Sequence, residues 1–165
     1  MRPSAENIVA NAGPLIALAK VQALPLLHAV FAQTMVTETV LGECLSLPDR
    51  PDGAEISAAV AGGSLVVIPD SAAGSAWGLD PGEASAIAAA LARGASILMD
   101  DRAGRRVANE LGVPVIGVLS VLILAKRRGE LPAVRPLVDR LIASGYYLAD
   151  AVIEDAFRLA GEAAD

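Results

Sequence analysis

Five short apolar runs, most of them rich in β-branched residues, alternate with segments of helical spacing, and this alternation limits the possible folds more than any other feature. The runs are Asn7–Ala10, Thr34–Val36, Leu65–Ile68, Ser96–Met99 and Val113–Ile116. Short continuous apolar runs are the pattern of strands covered on both faces. Between them, Thr37 stands where it can cap a helix holding Val40, Leu41 and Cys44. Asp80-Pro81-Gly82-Glu83 opens an Ala-rich helix that runs to Arg93 and stops at Gly94. Arg102 to Leu111 stops at Gly112, Ser120 to Arg128 stops at Gly129, and two further helical stretches cover Ala133 to Ala143 and Asp150 to Ala160. Strands alternating with helices of about ten residues predict an α/β domain with a mainly parallel sheet. The 165 residues hold no internal repeat and no dividing linker, so they read as a single domain, 1–165, with a C-terminal helical extension from about residue 130. Leu47–Gly53 and Asp70–Gly78 read as flexible loops.

Hydrophobic residues make up 54% of the chain and aromatic residues 3%, so the core has to be built from Ala, Val, Leu and Ile. So few rings predict that any nucleic acid is held through phosphates rather than by stacked bases. Cys44 is the single cysteine, which excludes an internal disulfide and a multi-cysteine zinc site and makes a reducing cytoplasm the expected location. Leu111 to Ala125 is apolar but interrupted by Gly112, Pro114, Gly117 and Ser120, too broken to span a bilayer. The apolar stretch Ile8 to Ala19 contains Asn11, Gly13 and Pro14 and follows Glu6, a poor match to a signal peptide. His28 and Cys44 read as packing residues.

Net charge is −6, which by itself argues against nucleic acid. The charge is uneven, however. Between residues 102 and 140 eight cations face three acids, a surplus of five, while the rest of the chain carries five cations and sixteen acids, or −11. Arg102, Arg105 and Arg106 share one helix and are candidates to meet phosphates.

Ligands of parallel α/β sheets bind at the carboxyl ends of the strands. Asn11 follows the first run, Asp100 and Asp101 follow the fourth, and Ser120 comes shortly after the fifth; Glu43 and Glu83 lie on adjoining helices. Converging carboxylates suit a hard divalent cation, and two such ions can serve phosphodiester cleavage. Each residue also has an ordinary alternative. Glu83 can close a capping box with Asp80, and Asp100 or Asp101 can cap the helix from Arg102. Glu43 can be a solvated helix edge, and Asn11 a turn residue. No Ser/His/Asp set and no phosphate-cradling glycine loop with a following Lys is present. A receiver-like phosphoacceptor domain would carry its Asp pair after the first strand, not the fourth.

In order, the blocks Asn11–Lys20, Val36–Glu43, Leu79–Ala84, Asp100–Ala108 and Gly112–Leu119 resemble a PIN-domain protein of the DUF3368 type, over about Ile8 to Leu148. That branch is related to the toxins of toxin–antitoxin pairs. The resemblance implies a three-layer fold with a central parallel sheet and an Mg²⁺- or Mn²⁺-dependent endoribonuclease site. It puts the catalytic positions at Asn11, Glu43, Glu83 and Asp101, with Asp100 beside Asp101 as a further metal ligand. It also implies a small antitoxin as partner and a homodimer. The first block departs from the pattern, because the family carries Asp where this chain has Asn11. An amide brings no charge to the ion. Three explanations compete: Asp100 and Asp101 compensate, the residue is an engineered substitution that lets a toxic protein be produced, or it is natural and leaves a weak or catalytically impaired protein that binds RNA or a partner without cleaving.

Overall fold

A computed structural model describes residues 6–47, 49–71 and 77–163. Its five-stranded sheet has the order β3-β2-β1-β4-β5, with β1 (Asn7–Ala10) at the centre, β2 (Gln33–Thr37) and β3 (Val66–Ile68) on one side, and β4 (Ser96–Leu98) and β5 (Val115–Ile116) on the other. Every pairing is parallel. The sheet is therefore the one that the apolar runs predict, with strand ends shifted by one or two residues. Ile8, Val9, Ile97 and Leu98 have no exposed surface, as expected of strands covered on both faces.

The helices are α1 (Ala12–Lys20), α2 (Pro25–Val30), α3 (Glu38–Cys44), α4 (Pro51–Ala61), α5 (Pro81–Arg93), α6 (Arg102–Glu110), α7 (Val118–Arg127), α8 (Arg135–Ala143) and α9 (Asp150–Leu159). The buried face of α5 includes Ala84, Ala86, Ala88, Ala89 and Ala90, and these small side chains let it lie directly against β1, β2 and β4. α5 ends at Gly94, whose φ of 60° is the left-handed conformation that glycine adopts without strain. α8 rests on α1 and α9 on α7. There the Glu162 carboxylate accepts hydrogen bonds from Lys126 Nζ at 2.7 Å, Val134 N at 2.6 Å and Arg135 N at 3.0 Å. Burial alone would raise its pKa, but these donors hold it at about 2.

Four expectations need correction. Leu47–Gly53 is not a loop throughout. α4 begins inside it, with Pro51 at the helix start where its missing N–H is harmless, and with Asp52 buried and held by Arg50 Nε at 3.1 Å. Within Asp70–Gly78, residues 72–76 lie outside the described residues, and Asp70 itself is firmly bonded, as shown below. α7 starts at Val118, two residues before Ser120, and Ser120 points to solvent. His28 is exposed on α2 rather than packed, whereas Cys44 is buried, its thiol pushed up to about 12 by burial and by Glu43 and Asp52. Among the described residues, no helix is long and apolar enough to cross a membrane.

Candidate active site

β1 leads the chain toward β2, while β4 leads it toward β5 on the opposite side, so a crevice opens at the carboxyl ends of these two central strands. It forms a cleft of 540 Å³ lined by Asn11 to Pro14, Glu43, Asp80, Glu83, Asp100 to Arg102, Tyr146 and Tyr147. Asn11, Glu43, Glu83, Asp100 and Asp101 thus share one cleft, as the strand-end argument predicts.

Asn11 is 7% exposed, and its backbone N–H donates to Leu98 O at 3.0 Å, tying it to β4. It stands at the N-cap of α1, but its side chain makes no capping bond. Among the described residues, its Oδ1 is a buried acceptor without a partner. An unsatisfied buried amide oxygen costs about 1–3 kcal/mol. The turn or cap explanation for Asn11 therefore lacks its hydrogen bond.

The two adjacent aspartates divide between two helices. Asp101 Oδ2 accepts from Gly104 N at 2.8 Å and caps α6, and the residue lines the cleft. Asp100 Oδ2 accepts from Val118 N at 3.2 Å, capping α7 from a distance, and from Tyr146 Oη at 2.5 Å. Its Oδ1 lies 3.7 Å from the Arg105 guanidinium. Gly117 makes this possible, because a Cβ there would stand 2.5 Å from Asp100 Oδ1. Asp100 thus holds the base of the cleft together, and its oxygens are already engaged.

Glu83 sits in the first turn of α5. Asp80 Oδ1 accepts from its backbone N–H at 2.9 Å, as the capping alternative predicts. Burial, then the nearby Asp80 and Asp101 carboxylates, push the Glu83 pKa up to about 7. Glu43, exposed at the rim, is raised in the same direction by its surroundings and by Asp80, with the Gly82 N–H opposing. Gly82 is the point of closest approach: a Cβ there would lie 2.3 Å from Glu43 Oε2. Asp80, read from sequence only as a cap, is thus also part of the carboxylate cluster.

The helices carrying Glu43 and Glu83 are braced by Asp70. Its carboxylate accepts from Thr39 N at 3.3 Å, Thr39 Oγ1 at 2.9 Å and Ser85 Oγ at 2.7 Å. Ser85 Oγ also lies 2.7 Å from Thr37 Oγ1, which itself caps α3 by accepting from Val40 N. These bonds, Ser85 first, hold the Asp70 pKa below its usual value. No local sequence signal marks Asp70, because its partners lie 15 and 31 residues away.

Of the three candidate phosphate contacts, Arg102 lines the cleft, Arg105 is engaged with Asp100, and Arg106 is 3.9 Å from Glu110 on the exposed face of α6. The cationic segment is also less free than its charge suggests. Lys126 bonds Ala160 O and Glu162, Arg128 bonds Ala29 O, and Arg140 bonds Gln22.

The donor set consists of hard oxygens, carboxylates and one amide, which is the chemistry of Mg²⁺ or Mn²⁺. The chemistry of Asn11, Glu43, Glu83 and Asp101 suits such an ion: one is an orphaned acceptor, and two hold protons more tightly than usual, through burial first and neighbouring carboxylates second. Among the described residues, no three His, Cys, Asp or Glu side chains stand close enough to enclose an ion, so the carboxylates ring the cleft rather than meet at a point.

The chain resembles a PilT N-terminus domain protein from the hyperthermophilic archaeon Sulfolobus solfataricus P2, with a TM-score of 0.53 and 17% identity over 73% of this chain and 92% of that one. That likeness speaks to the fold. No curated protein matches the chain. A model of DUF3368, described as a PIN domain, matches residues 7–162. The parallel sheet with a cleft at its switch point agrees with that match, and the chain belongs to the DUF3368 family of PIN domains.

Proposed function

We propose that this PIN-domain protein is a divalent-metal-dependent endoribonuclease and that Asn11, Glu43, Glu83 and Asp101 are its working residues. The observation that carries the reading is Asn11, whose Oδ1 is a buried acceptor without a partner among the described residues and which lines the same cleft as Glu43, Glu83 and Asp101. Such an arrangement is costly for folding and suits a cation. Asn11, Glu83, Glu43 and Asp101 would hold Mg²⁺ or Mn²⁺. When bound, the ion supplies stabilisation of charge on the phosphodiester oxygens and makes water more acidic. Asp101 and Glu83 are positioned by the first turns of α6 and α5, so their placement follows from helix geometry. Glu43 or Glu83, whichever the ion does not engage, would be suited to accept a proton from an attacking water. Arg102 stands at the cleft where a phosphate would enter.

The neutral amide of Asn11 supports a second reading, in which the protein binds RNA or a partner but cleaves poorly. Asp100 is a weak candidate to compensate, since its oxygens already serve Val118, Tyr146 and Arg105. A toxin role with a small antitoxin partner, a homodimer and a cytoplasmic setting belong to the same proposal, and their support is the family resemblance. Cleavage of RNA should require Mn²⁺ or Mg²⁺, disappear in Glu83→Ala and rise in Asn11→Asp. Activity that survives Glu83→Ala refutes the assignment. Binding of Mn²⁺ and RNA without cleavage, even in Asn11→Asp, favours the second reading.

A further inference from the structure

The chain has five aromatic residues, and one of them is placed where burial cannot explain it. Phe31 and Phe157 are buried, Trp77 and Tyr146 are half-buried, but Tyr147 is 85% exposed, more than any other large apolar side chain among the described residues. It lines the rim of the carboxylate cleft. Its backbone is fixed by what precedes it. α8 ends with Gly145 N donating to Ile142 O at 3.0 Å and Tyr146 N donating to Leu141 O at 3.1 Å, and Gly145 takes the left-handed φ of 91° that this cap requires. Tyr146 then inserts its hydroxyl onto Asp100 Oδ2 at 2.5 Å, the same carboxylate that caps α7. The next residue is thereby held at the mouth of the cleft with its ring in water.

We propose that Tyr147 is a stacking platform for a nucleobase of single-stranded RNA whose backbone enters the carboxylate cleft, with Tyr146 as the anchor that positions it. The chemistry favours an aromatic group here. The cleft is lined by Glu43, Asp80, Glu83, Asp100 and Asp101 and repels phosphate, and Arg102 is the cation lining it. A neutral ring adds affinity through the base without depending on charge. Stacking is tolerant of sequence, so Tyr147 would contribute grip rather than base identity. This revises the expectation from composition: few rings do not exclude stacking when one is placed at the cleft. The inference rests on the nuclease reading.

The test uses the full chain and a short single-stranded oligoribonucleotide with cleavage-resistant phosphorothioate linkages, in Mn²⁺, read by fluorescence anisotropy. Wild type, Tyr147→Ala and Tyr147→Phe are compared on this oligomer and on one with abasic positions. Tyr147→Ala should weaken binding of the base-containing oligomer on the order of ten-fold, with Tyr147→Phe close to wild type. The abasic oligomer should bind all three equally, and thermal stability should be unchanged because the side chain is exposed. Equal binding of the base-containing oligomer by wild type and Tyr147→Ala overturns the stacking role while cleavage by wild type leaves the nuclease reading standing. A wild-type protein that neither binds nor cleaves RNA overturns both.

Discussion

Replacing Glu83 by Gln removes one charge from the cleft while keeping an acceptor of the same shape in the first turn of α5. In the folded protein Glu83 titrates at about 7, against 4.5 for the free side chain, because burial and the Asp80 and Asp101 carboxylates disfavour its ionised form. The sign follows directly. Below about 4.5 both the folded and unfolded chains hold the proton, and Glu83 does not bias folding. Between 4.5 and about 7 the unfolded chain releases the proton first, so stability falls as pH rises, and above about 7 the full cost is in place. At 1.36 kcal/mol per pH unit the full shift would be worth about 3 kcal/mol, and because water screens this partly exposed carboxylate the cost is half of that or less, about 1–2 kcal/mol. For a chain of this size it corresponds to roughly 2–8 °C in melting temperature. Glu83→Gln should therefore melt higher than wild type at pH 8 in EDTA by up to that amount, match it at pH 4, and have lost RNA cleavage. Mn²⁺ should raise the melting temperature of wild type at pH 8 and do little for the variant. Melting curves from pH 4 to pH 9, with and without Mn²⁺, make the comparison. Parallel pH profiles for the two proteins in EDTA would refute the reasoning, since the crowding of carboxylates would then carry no energetic cost.

Gly82→Ala should separate function from stability in the opposite way. Its Cβ would press Glu43 Oε2 from 2.3 Å outward to ordinary contact at 3.4 Å, and a glutamate end yields easily, so melting should change by less than about 1 kcal/mol while a 1 Å misplacement lowers Mn²⁺-dependent cleavage on the order of a hundred-fold. Arg102→Ala should weaken RNA binding and flatten its salt dependence by about one phosphate contact, whereas Arg106→Ala, out on the far face of α6, should leave both unchanged in a salt titration. Glu162→Gln removes a charge that Lys126, Val134 N and Arg135 N hold at a pKa of about 2. The stability it contributes is present above about 4.5 and lost as pH falls toward 2, so the variant should melt lower at pH 7 and converge with wild type in acid.

Much of this architecture is legible in the residues because parallel sheets leave strong local traces. Buried strands such as Ile8-Val9-Ala10 show as apolar runs, and caps such as Asp80 and Asp101 mark helix starts. The strand-end rule then collects Asn11, Glu43, Glu83 and Asp101 at one edge. What stayed hidden depends on tertiary partners. α1 is buried nearly all round, with Leu15, Ala17, Leu18 and Ala19 inside, so it shows no helical period and merges with β1 into one apolar stretch. α4 begins at a Pro-Asp-Gly sequence that reads equally well as a turn. The division of labour between Asp100 and Asp101 depends on α7 lying opposite, and the Asp70 brace on two helices meeting. Tyr147 gains meaning only once α8 delivers it to the cleft.

The residues proposed for the site lie at the ends of separate strand-to-helix units, from Asn11 to Asp101, and the bond from Asn11 N to Leu98 O unites the first unit with the last. A polypeptide emerging from the ribosome therefore completes this cleft only late in its synthesis. Until β4 has been synthesised and has docked beside β1, Asn11 and Asp101 are not neighbours, and a truncated product ending before Ser96 carries Asn11, Glu43 and Glu83 but lacks Asp100, Asp101 and Arg102. If the protein cuts RNA as proposed, this order of assembly leaves every unfinished copy without Asp101, and so short of the full set, beside the message from which it is being made.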